Sequence, residues 1–232
     1  KEKISTEYYR KDPKSEKELI QGFKSEGIDE SFDQEGIHRF LDDVLREVNI
    51  YDNDITILQN RFVSPLSNIG TDFYKYYLTD TIPVDGEQCI ELSFVPFTPE
   101  SFGFTGRIYV PLGDSTMFVK RVKMNVAKSI NLNYVENIYM VQDFEKADDG
   151  SRLKVKDDLM VEFRIMSSAP GMYARRITKY KDHNFKEPES TEIFGKEGRT
   201  ILAENALSMP EKYWNDNRLI PIKRSESSVD KM

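Results

Sequence analysis

The chain has 232 residues, enough for one large domain or a domain with appendages. Charged residues make up 31% of it and the net charge is −7, which argues against nucleic-acid binding because that function selects basic faces. No run of about 18 apolar residues occurs, so no membrane-spanning helix is predicted. The single cysteine, Cys89, excludes an internal disulfide and a zinc cluster of the usual kind.

The first part of the chain is predicted to hold a linker and two helices. Residues 1–13 are polar and are expected to be a linker. A capped helix is expected over 15–26. Its apolar stripe would be Leu19, Ile20 and Phe23. A second helix is expected over 33–48, where apolar residues recur at intervals of three and four. These residues are Ile37, Phe40, Leu41, Val44, Leu45 and Val48.

The region from about 55 to 181 alternates strand patterns with turns. Seven strands are predicted, at 72–82, 88–95, 104–112, 116–126, 132–145, 152–166 and 171–181. The breaks between them include Asp-Gly and Gly-Asp pairs, which favour hairpins and leave no room for crossover helices. The sequence therefore predicts an antiparallel meander.

A meander of long strands and short loops coils, and a coiled sheet has a concave face. The two helices must bury their apolar stripes, and this face would receive them. The predicted fold is therefore α+β: a strongly curved antiparallel meander of about seven strands, a half-barrel or open barrel, with two N-terminal helices packed on one face. We expect a single domain over 14–183, followed by a polar tail over 184–232 that leads toward a further C-terminal region.

Hairpin register decides which side chains face the core, because a shift of one residue exchanges the two faces of a strand. Three-residue loops are predicted at 85–87 and around Gly113. With the first of these loops, Phe73 and Tyr77 point outward. The connection at 96–104, or the C-terminal tail, is then the expected cover for them.

Three charged residues interrupt the apolar face of the central strands: Lys120, Glu136 and Asp157. A register that places Val126 opposite Leu132 brings them within reach of one another. Because an unpaired buried charge is costly, we expect the three to be mutually paired or to lie where the core opens to water. A solvated sheet margin and the polar lining of a ligand cavity are both compatible with this pattern.

No catalytic motif is present. Of the two histidines, His38 is expected at the surface or in boundary packing and His183 in a loop, and Cys89 is expected to be a structural thiol. The chain lacks G-x-S-x-G, H-E-x-x-H and glycine-rich phosphate loops, and its acidic stretches complete no calcium loop. We therefore expect a protein that is not an enzyme and that binds no metal and no cofactor.

Four stretches taken together resemble a known family: FVSPLSNIGTDFYKYYLTDT, CIELSFVPF, FTGRIYVP and YWNDNRLIPIKRSE. They contain Ser64-Pro65-Leu66, Tyr74–Tyr77, Pro96, Gly106 with Tyr109, Trp214, Arg218 and Pro221. Over roughly 50–225 the chain resembles a domain of unknown function in Bacteroidetes-type outer-membrane proteins. That domain lies between a carboxypeptidase-regulatory-like domain and a C-terminal membrane β-barrel. Leu219 departs from the pattern, since the family favours a proline there.

The resemblance implies a location in the bacterial cell envelope, on the periplasmic side of the outer membrane, and it supplies no catalytic residues. Two functions remain open. The first is a non-enzymatic interaction or structural module, whose partner is the membrane barrel of the same polypeptide or another envelope protein. The second is a carrier or sensor of an apolar ligand, such as a lipid, in the concave face. Helices that fill this face would favour the first function.

The polar tail holds the only tryptophan, Trp214, next to Tyr213, in a short helix with a capping pattern. Aromatic residues in polar tails are usually anchors. We therefore take Tyr213, Trp214 and Arg218 as candidate docking residues. Trp214 is expected to be buried against the domain or against the absent barrel.

Overall fold

We describe a computed structural model of the chain, which covers residues 1–25, 45–126, 130–132, 134–164, 171–188 and 190–221. The chain divides into two compact units. Unit 1 combines residues 1–30 with 184–232, and unit 2 consists of residues 31–183. None of the helices in the described ranges is long and apolar enough to cross a membrane.

The strands, in chain order, are β1 (Glu2–Arg10), β2 (Ser15–Lys24), β3 (Asp54–Ile57), β4 (Asn60–Val63), β5 (Tyr74–Val84), β6 (Glu87–Pro96), β7 (Phe104–Pro111), β8 (Arg121–Val126), β9 (Val135–Lys146), β10 (Arg152–Phe163), β11 (Met172–Lys179) and β12 (Thr200–Leu202). The helices are α1 (Gly70–Phe73) and α2 (Glu211–Asn217), with a 3₁₀ turn at Glu192–Gly195.

Unit 2 is built on one seven-stranded antiparallel sheet, in which β5 to β11 follow one another in chain order. This confirms the predicted meander. The predicted half-barrel or open barrel is wrong, because the sheet, with edge strands β5 and β11, is not strongly curled. The α+β class is also wrong, since the described chain is mostly β.

One face of this sheet, the inner face, carries the apolar core. Alternate residues of the central strands point to it, among them the fully buried Phe94, Met124 and Ile138. The segment 45–63 covers this face and contains the β3–β4 hairpin. It contributes the buried side chains of Val48, Ile50, Ile55, Ile57 and Phe62 to the same apolar cluster. A covering segment, rather than closure of the sheet, therefore keeps water from the core.

The N-terminal predictions need correction. Residues 1–13 contain strand β1 rather than a linker, and the helix expected at 15–26 is strand β2, paired with β1. The stripe of Leu19, Ile20 and Phe23 is also compatible with a strand, and Gly22 within it disfavours a helix. The helix expected at 33–48, including Phe40, lies outside the described residues, except for 45–48, which are not helical.

The hairpin loops differ from the prediction, although the faces agree. Asp85 and Gly86 form a two-residue turn, and both have positive φ, as a type I′ turn requires. An irregularity between Leu78 and Asp80 compensates for the shorter loop, so Tyr76, which lies opposite Phe94, is on the predicted face. The loop after β7 is longer than three residues.

That longer connection runs from Leu112 to Lys120 and leads into β8. It nevertheless places Ile108 opposite Val122. Both side chains are buried, on the side that the pattern of apolar residues indicated. The change in loop length therefore left the assignment of faces intact, because it shifted the register by an even number of residues.

Unit 1 is a three-stranded sheet in the order β1-β2-β12, with β12 parallel to β2. The 3₁₀ turn and α2 complete it. Phe194 of that turn lies edge-on to Tyr8 of β1, at 6.5 Å between ring centroids. The described part of the C-terminal tail is therefore folded against the N-terminal strands.

Candidate functional site

Two tyrosines at the start of β5 hold the chain segment that carries the Ser64-Pro65 motif. The hydroxyl of Tyr76 donates to the carbonyl of Pro65 at 2.7 Å. The hydroxyl of Tyr74 donates to the carbonyl of Val63 and accepts the backbone N–H of Phe104 at 3.0 Å. We call Tyr74 and Tyr76 the tyrosine clamp. Burial raises the pKa of both, that of Tyr76 to about 12.

Small residues around the tyrosine clamp allow this close packing. A Cβ on Gly70 would lie 2.8 Å from the Tyr76 hydroxyl, and one on Gly103 would lie 2.6 Å from the ring of Phe73. The connection at 96–104 therefore covers Phe73, as the sequence predicted. Tyr77 stays 50% exposed, so the cover expected for it is absent in the described chain.

A second group of polar side chains lies under the segment 45–63, against β9, β10 and β11. We call it the inner polar cluster. Its members are Glu47, Gln142, Lys154, Asp157, Arg176 and Tyr180. It joins the covering segment to the sheet, because Lys154 pairs with Glu47 and the Gln142 amide donates to the carbonyl of Val48 at 2.8 Å.

Asp157 is the fully buried charge of this cluster. Its carboxylate accepts from Arg176 Nη2 at 2.6 Å and from Gln142 Nε2 at 3.1 Å. Burial raises the pKa of Asp157, and the cationic groups of Arg176 and Lys154 only partly offset this. The carboxylate is thus paired, but at a site where its charged form is costly.

At Glu47, in contrast to Asp157, the partners of the carboxylate affect its pKa more than burial does. Burial alone would raise its pKa, but hydrogen bonds from Lys154 and Tyr180 outweigh burial and lower the pKa. The Tyr180 hydroxyl lies 3.1 Å from Glu47 Oε1, and Lys154 Nζ lies 5.3 Å from the centre of the Tyr180 ring. The arrangement is typical of a structural ion-pair network that holds the covering segment on the sheet rather than of an acid–base pair, since each carboxylate already has a cationic partner.

The structure does not bring the three predicted charges together. Lys120 pairs with Glu87 at 2.6 Å, and Glu136 pairs with Arg164 at 2.7 Å, far from the partners of Asp157. Mutual pairing is therefore wrong. The reason is the register, since Met124 of β8 lies opposite Met140 and places Lys120 near the opposite end of β9 from Glu136. Glu136, with 48% of its side chain exposed, does lie where the core opens to water.

The aromatic anchor of the tail is buried. Trp214 is 2% exposed, which confirms that prediction, and its ring lies over Gly22 of β2. A Cβ on Gly22 would lie 3.2 Å from the Trp214 ring and 2.9 Å from Tyr213. Arg218 makes a two-pronged ion pair with Glu2, at 2.7 and 2.9 Å. Whether these residues also bind a partner stays a prediction.

The remaining candidates have structural surroundings. Cys89 is fully buried beside Val84 and Tyr109, and burial raises the pKa of its thiol, which disfavours the reactive thiolate. His183 is exposed in an irregular segment, and His38 lies outside the described residues. Within the described ranges, no three His, Cys, Asp or Glu side chains are grouped so as to hold a metal ion.

Residues 1–181 match the profile of a protein family described as a family of unknown function, DUF5686. The chain belongs to this family. No curated protein and no solved structure matches the chain. The match agrees with the expected domain of unknown function, and it begins at residue 1, so it includes strands β1 and β2 of unit 1.

In this DUF5686 chain, the inner polar cluster was largely missed by sequence reasoning. Asp157 is visible in the sequence because it breaks the alternation of β10. Its partners Gln142 and Arg176 belong to strands where polar residues are common, and Glu47 lies in the segment expected to be helical. The one signal in the sequence is Gln142 itself, a polar residue between Met140 and Phe144 on the apolar face of β9.

Proposed function

We propose that this DUF5686 chain is a non-enzymatic module that works by interaction, on the periplasmic side of the bacterial outer membrane. Its partner would be the C-terminal membrane barrel of the same polypeptide or another envelope protein. The resemblance of the sequence stretches around Ser64, Tyr74 and Trp214 to such outer-membrane proteins supports the proposed location.

The observation that carries the proposal is that the residues responsible for the resemblance make structural contacts. Ser64, Tyr74 and Tyr76 hold main-chain carbonyls, and Trp214 packs on Gly22. A Cβ on Gly106 would lie 2.1 Å from the carbonyl of Lys123. These residues build a framework rather than a reacting centre, which supports an interaction role.

The β5 edge of the sheet is the best surface for such an interaction. Tyr77 and Leu78 are 50% and 73% exposed on this edge strand, and Val95 and Phe97 lie exposed beside it. Within the described residues β5 has no strand paired on its outer side, and apolar side chains next to such an edge favour contact with another protein segment. We therefore assign the partner to this edge.

Photocrosslinking in intact cells tests the proposal. With p-benzoylphenylalanine at position 77 of the full-length protein, we expect an intramolecular crosslink or a crosslink to another envelope protein. The same probe at position 148, in the turn between β9 and β10, is the control and should give little product. Equal crosslinking at both positions, or none at 77, would contradict the assignment.

Location is tested separately. A protease added to intact cells should leave the module uncut, and it should cut the module once the outer membrane is permeabilised. Cleavage in intact cells, or protection until the inner membrane is opened, would reject the periplasmic placement without affecting the crosslinking result.

The lipid carrier is the second candidate. Its cavity was expected on the concave inner face, but side chains such as Ile50, Ile55 and Phe62 occupy that face. A lipid would have to displace the segment 45–63. Native mass spectrometry of the purified chain is expected to give the mass of the bare polypeptide, and a copurified lipid mass would favour the carrier instead.

A further inference from the structure

A cleft opens in unit 2 where β8 and β9 stop pairing. The ladder between them runs from Arg121–Asp143 to Asn125–Tyr139 and ends there. Beyond this point Val126 and Ile138 line a cleft of about 470 Å³, rather than facing each other in a ladder. This volume is in the range of small-ligand sites in proteins.

The floor of the cleft is apolar. Four of its lining side chains belong to the core and are less than a tenth exposed: Val126, Leu132, Val135 and Ile138. Ile130 extends this lining. These side chains are already shielded from water, so an apolar group placed against them would gain mainly by removing its own surface from water.

The rim of the cleft is rich in hydrogen-bond acceptors. It consists of two carboxylates, Glu136 and Glu162, and two side-chain amides, Asn125 and Asn137. Glu162 lies directly opposite Asn137 in the β9–β10 ladder. A ligand group that can donate several hydrogen bonds and carries a positive charge suits such a rim, whereas a carboxylate would be repelled.

A local irregularity places one of these carboxylates. Glu162 pairs with Asn137 but the next residue, Phe163, pairs with Val135, so Glu136 is an extra residue in β9. Strict alternation would turn Glu136 to the same face as Ile138. The bulge turns it away from the core, to the rim, where Arg164 Nε donates to it at 2.7 Å.

We propose that this cleft binds a primary ammonium group carried on an unbranched apolar stem. The stem lies on the floor, and the ammonium group donates to Glu162, Glu136 and the amide oxygens of the rim. Both a free alkylamine and the lysine side chain of a peptide have this chemistry. The inference is independent of the envelope role, since it rests on the cleft alone.

Because of the charges around the rim, two variants should change the affinity for n-hexylamine in opposite directions. Glu162→Gln removes a negative charge and should weaken binding of n-hexylamine by at least about tenfold, because hydrogen bonds to charged groups are the stronger ones. Arg164→Gln removes the cation that competes for Glu136, so it should strengthen binding. Glu145→Gln, an exposed position at the other end of β9, is the matched control and should bind like the unchanged chain.

The experiment is a titration of the full 232-residue chain, followed by the side-chain amide signals of Asn125 and Asn137 in ¹H–¹⁵N spectra. n-Hexylamine should shift these signals, n-hexanol should shift them much less, and hexanoate should leave them unchanged. A further titration with acetyl-Gly-Lys-Gly-amide assigns the source: binding points to a lysine side chain, and binding of hexylamine alone points to a free amine.

Three outcomes would overturn the proposal: no shift with hexylamine, equal affinity for hexanol, or equal weakening by Glu162→Gln and Glu145→Gln. Because all three substitutions are at positions that are not fully buried, each variant should keep the melting temperature of the unchanged chain. If a variant melts earlier, the test uses the unchanged chain at raised salt instead. Screening by salt should then weaken the binding of hexylamine but not that of hexanol.

Discussion

Gly106 is a position in β7 where the neighbouring strand leaves no room for a side chain. A Cβ there would lie 2.1 Å from the Lys123 carbonyl oxygen and 2.8 Å from the Met124 Cα. Both are backbone atoms of β8, so they cannot move without disturbing the ladder. This steric restriction explains why a glycine occupies position 106, one of the residues on which the family resemblance rests.

We predict that Gly106→Ala lowers the free energy of unfolding by about 2–3 kcal/mol, as overpacking of a core does. Urea denaturation measures this. Gly195→Ala is the control, because no atom lies within 4 Å of a Cβ built on Gly195, and its effect should stay within about 0.5 kcal/mol. Equal stability of the two variants would show that β7 and β8 are less closely packed than described.

Tyr76 of the tyrosine clamp should make stability depend on alkaline pH. Because burial raises its pKa from 10.0 to about 12, the folded chain holds the phenol proton more tightly than the unfolded chain. The resulting stabilisation is complete below pH 10 and is lost as the pH rises through 12. The difference in unfolding free energy between the unchanged chain and Tyr76→Phe should therefore shrink over this interval.

Denaturation at several pH values between 8 and 12 checks the prediction for Tyr76. At neutral pH, Tyr76→Phe should also cost about 1 kcal/mol, because the hydrogen bond to Pro65 is lost. The half-exposed Tyr77 is the control, and at neutral pH Tyr77→Phe should change stability by less than about 0.5 kcal/mol. A constant difference across the pH range would mean that Tyr76 is not buried in solution.

At the scale of the structural elements, the inner polar cluster joins the covering segment 45–63 to β9, β10 and β11. Its two carboxylates should respond to acid in opposite ways. The raised pKa of Asp157 means that the folded chain binds its proton more tightly, so its contribution to stability falls as the pH rises above 3.8. The lowered pKa of Glu47 means that its contribution is present above 4.5 and is lost as the pH falls below that value.

Comparison of Asp157→Asn and Glu47→Gln with the unchanged chain between pH 3 and 7 tests these signs. Relative to Asp157→Asn, the unchanged chain should lose stability with rising pH. Relative to Glu47→Gln, it should lose stability with falling pH. Slopes of the same sign for both comparisons would contradict the description in which burial dominates at Asp157 and hydrogen bonds dominate at Glu47.

Strands were predictable from the sequence because their signal is local. In β10, the alternation of Leu159, Val161 and Phe163 with polar residues is complete within a few positions, and pairing with β9 adds little to it. Register was harder to predict, since irregularities near Thr79 and Glu136 shift the pairing without leaving a clear mark in the sequence. The predicted assignment of side chains to the two faces of the sheet remained correct where the register shifted by an even number of residues.

The site residues were less predictable because their partners are distant in sequence. Glu47 and Lys154 are separated by 107 positions, and no local pattern links them. β2 was misread for a similar reason: the spacing of Leu19, Ile20 and Phe23 fits a helix, but pairing with β1 and β12 decides the conformation. Local propensity gave way to tertiary pairing in that segment.

At the scale of the whole molecule, the only tryptophan reports on unit 1. Trp214 is buried over Gly22, so its fluorescence should have the short-wavelength maximum of an indole shielded from water. Trp214→Ala should cost about 3–5 kcal/mol in the stability of unit 1. Phe185→Ala, at a position 63% exposed, is the control and should change it by less than about 0.5 kcal/mol.

Denaturant titration followed by circular dichroism measures the stability of both variants. Fluorescence cannot be used for this comparison, because Trp214→Ala removes the only tryptophan. Emission of the unchanged chain at the maximum of water-exposed indole would contradict the packing of α2 on β2. In that case the loss expected for Trp214→Ala should vanish as well.

The construction of unit 1 from both ends of the chain has a consequence for synthesis. Glu2 and Arg218 form one ion pair although 216 positions separate them, and β12, which pairs with β2, follows unit 2 in the sequence. A ribosome makes the chain from the N-terminus, so all strands of unit 2 emerge before β12 and α2 exist. Until then, β1 and β2 present an unpaired edge and an uncovered Gly22, and a chaperone that shields them would act on this intermediate and not on the finished fold.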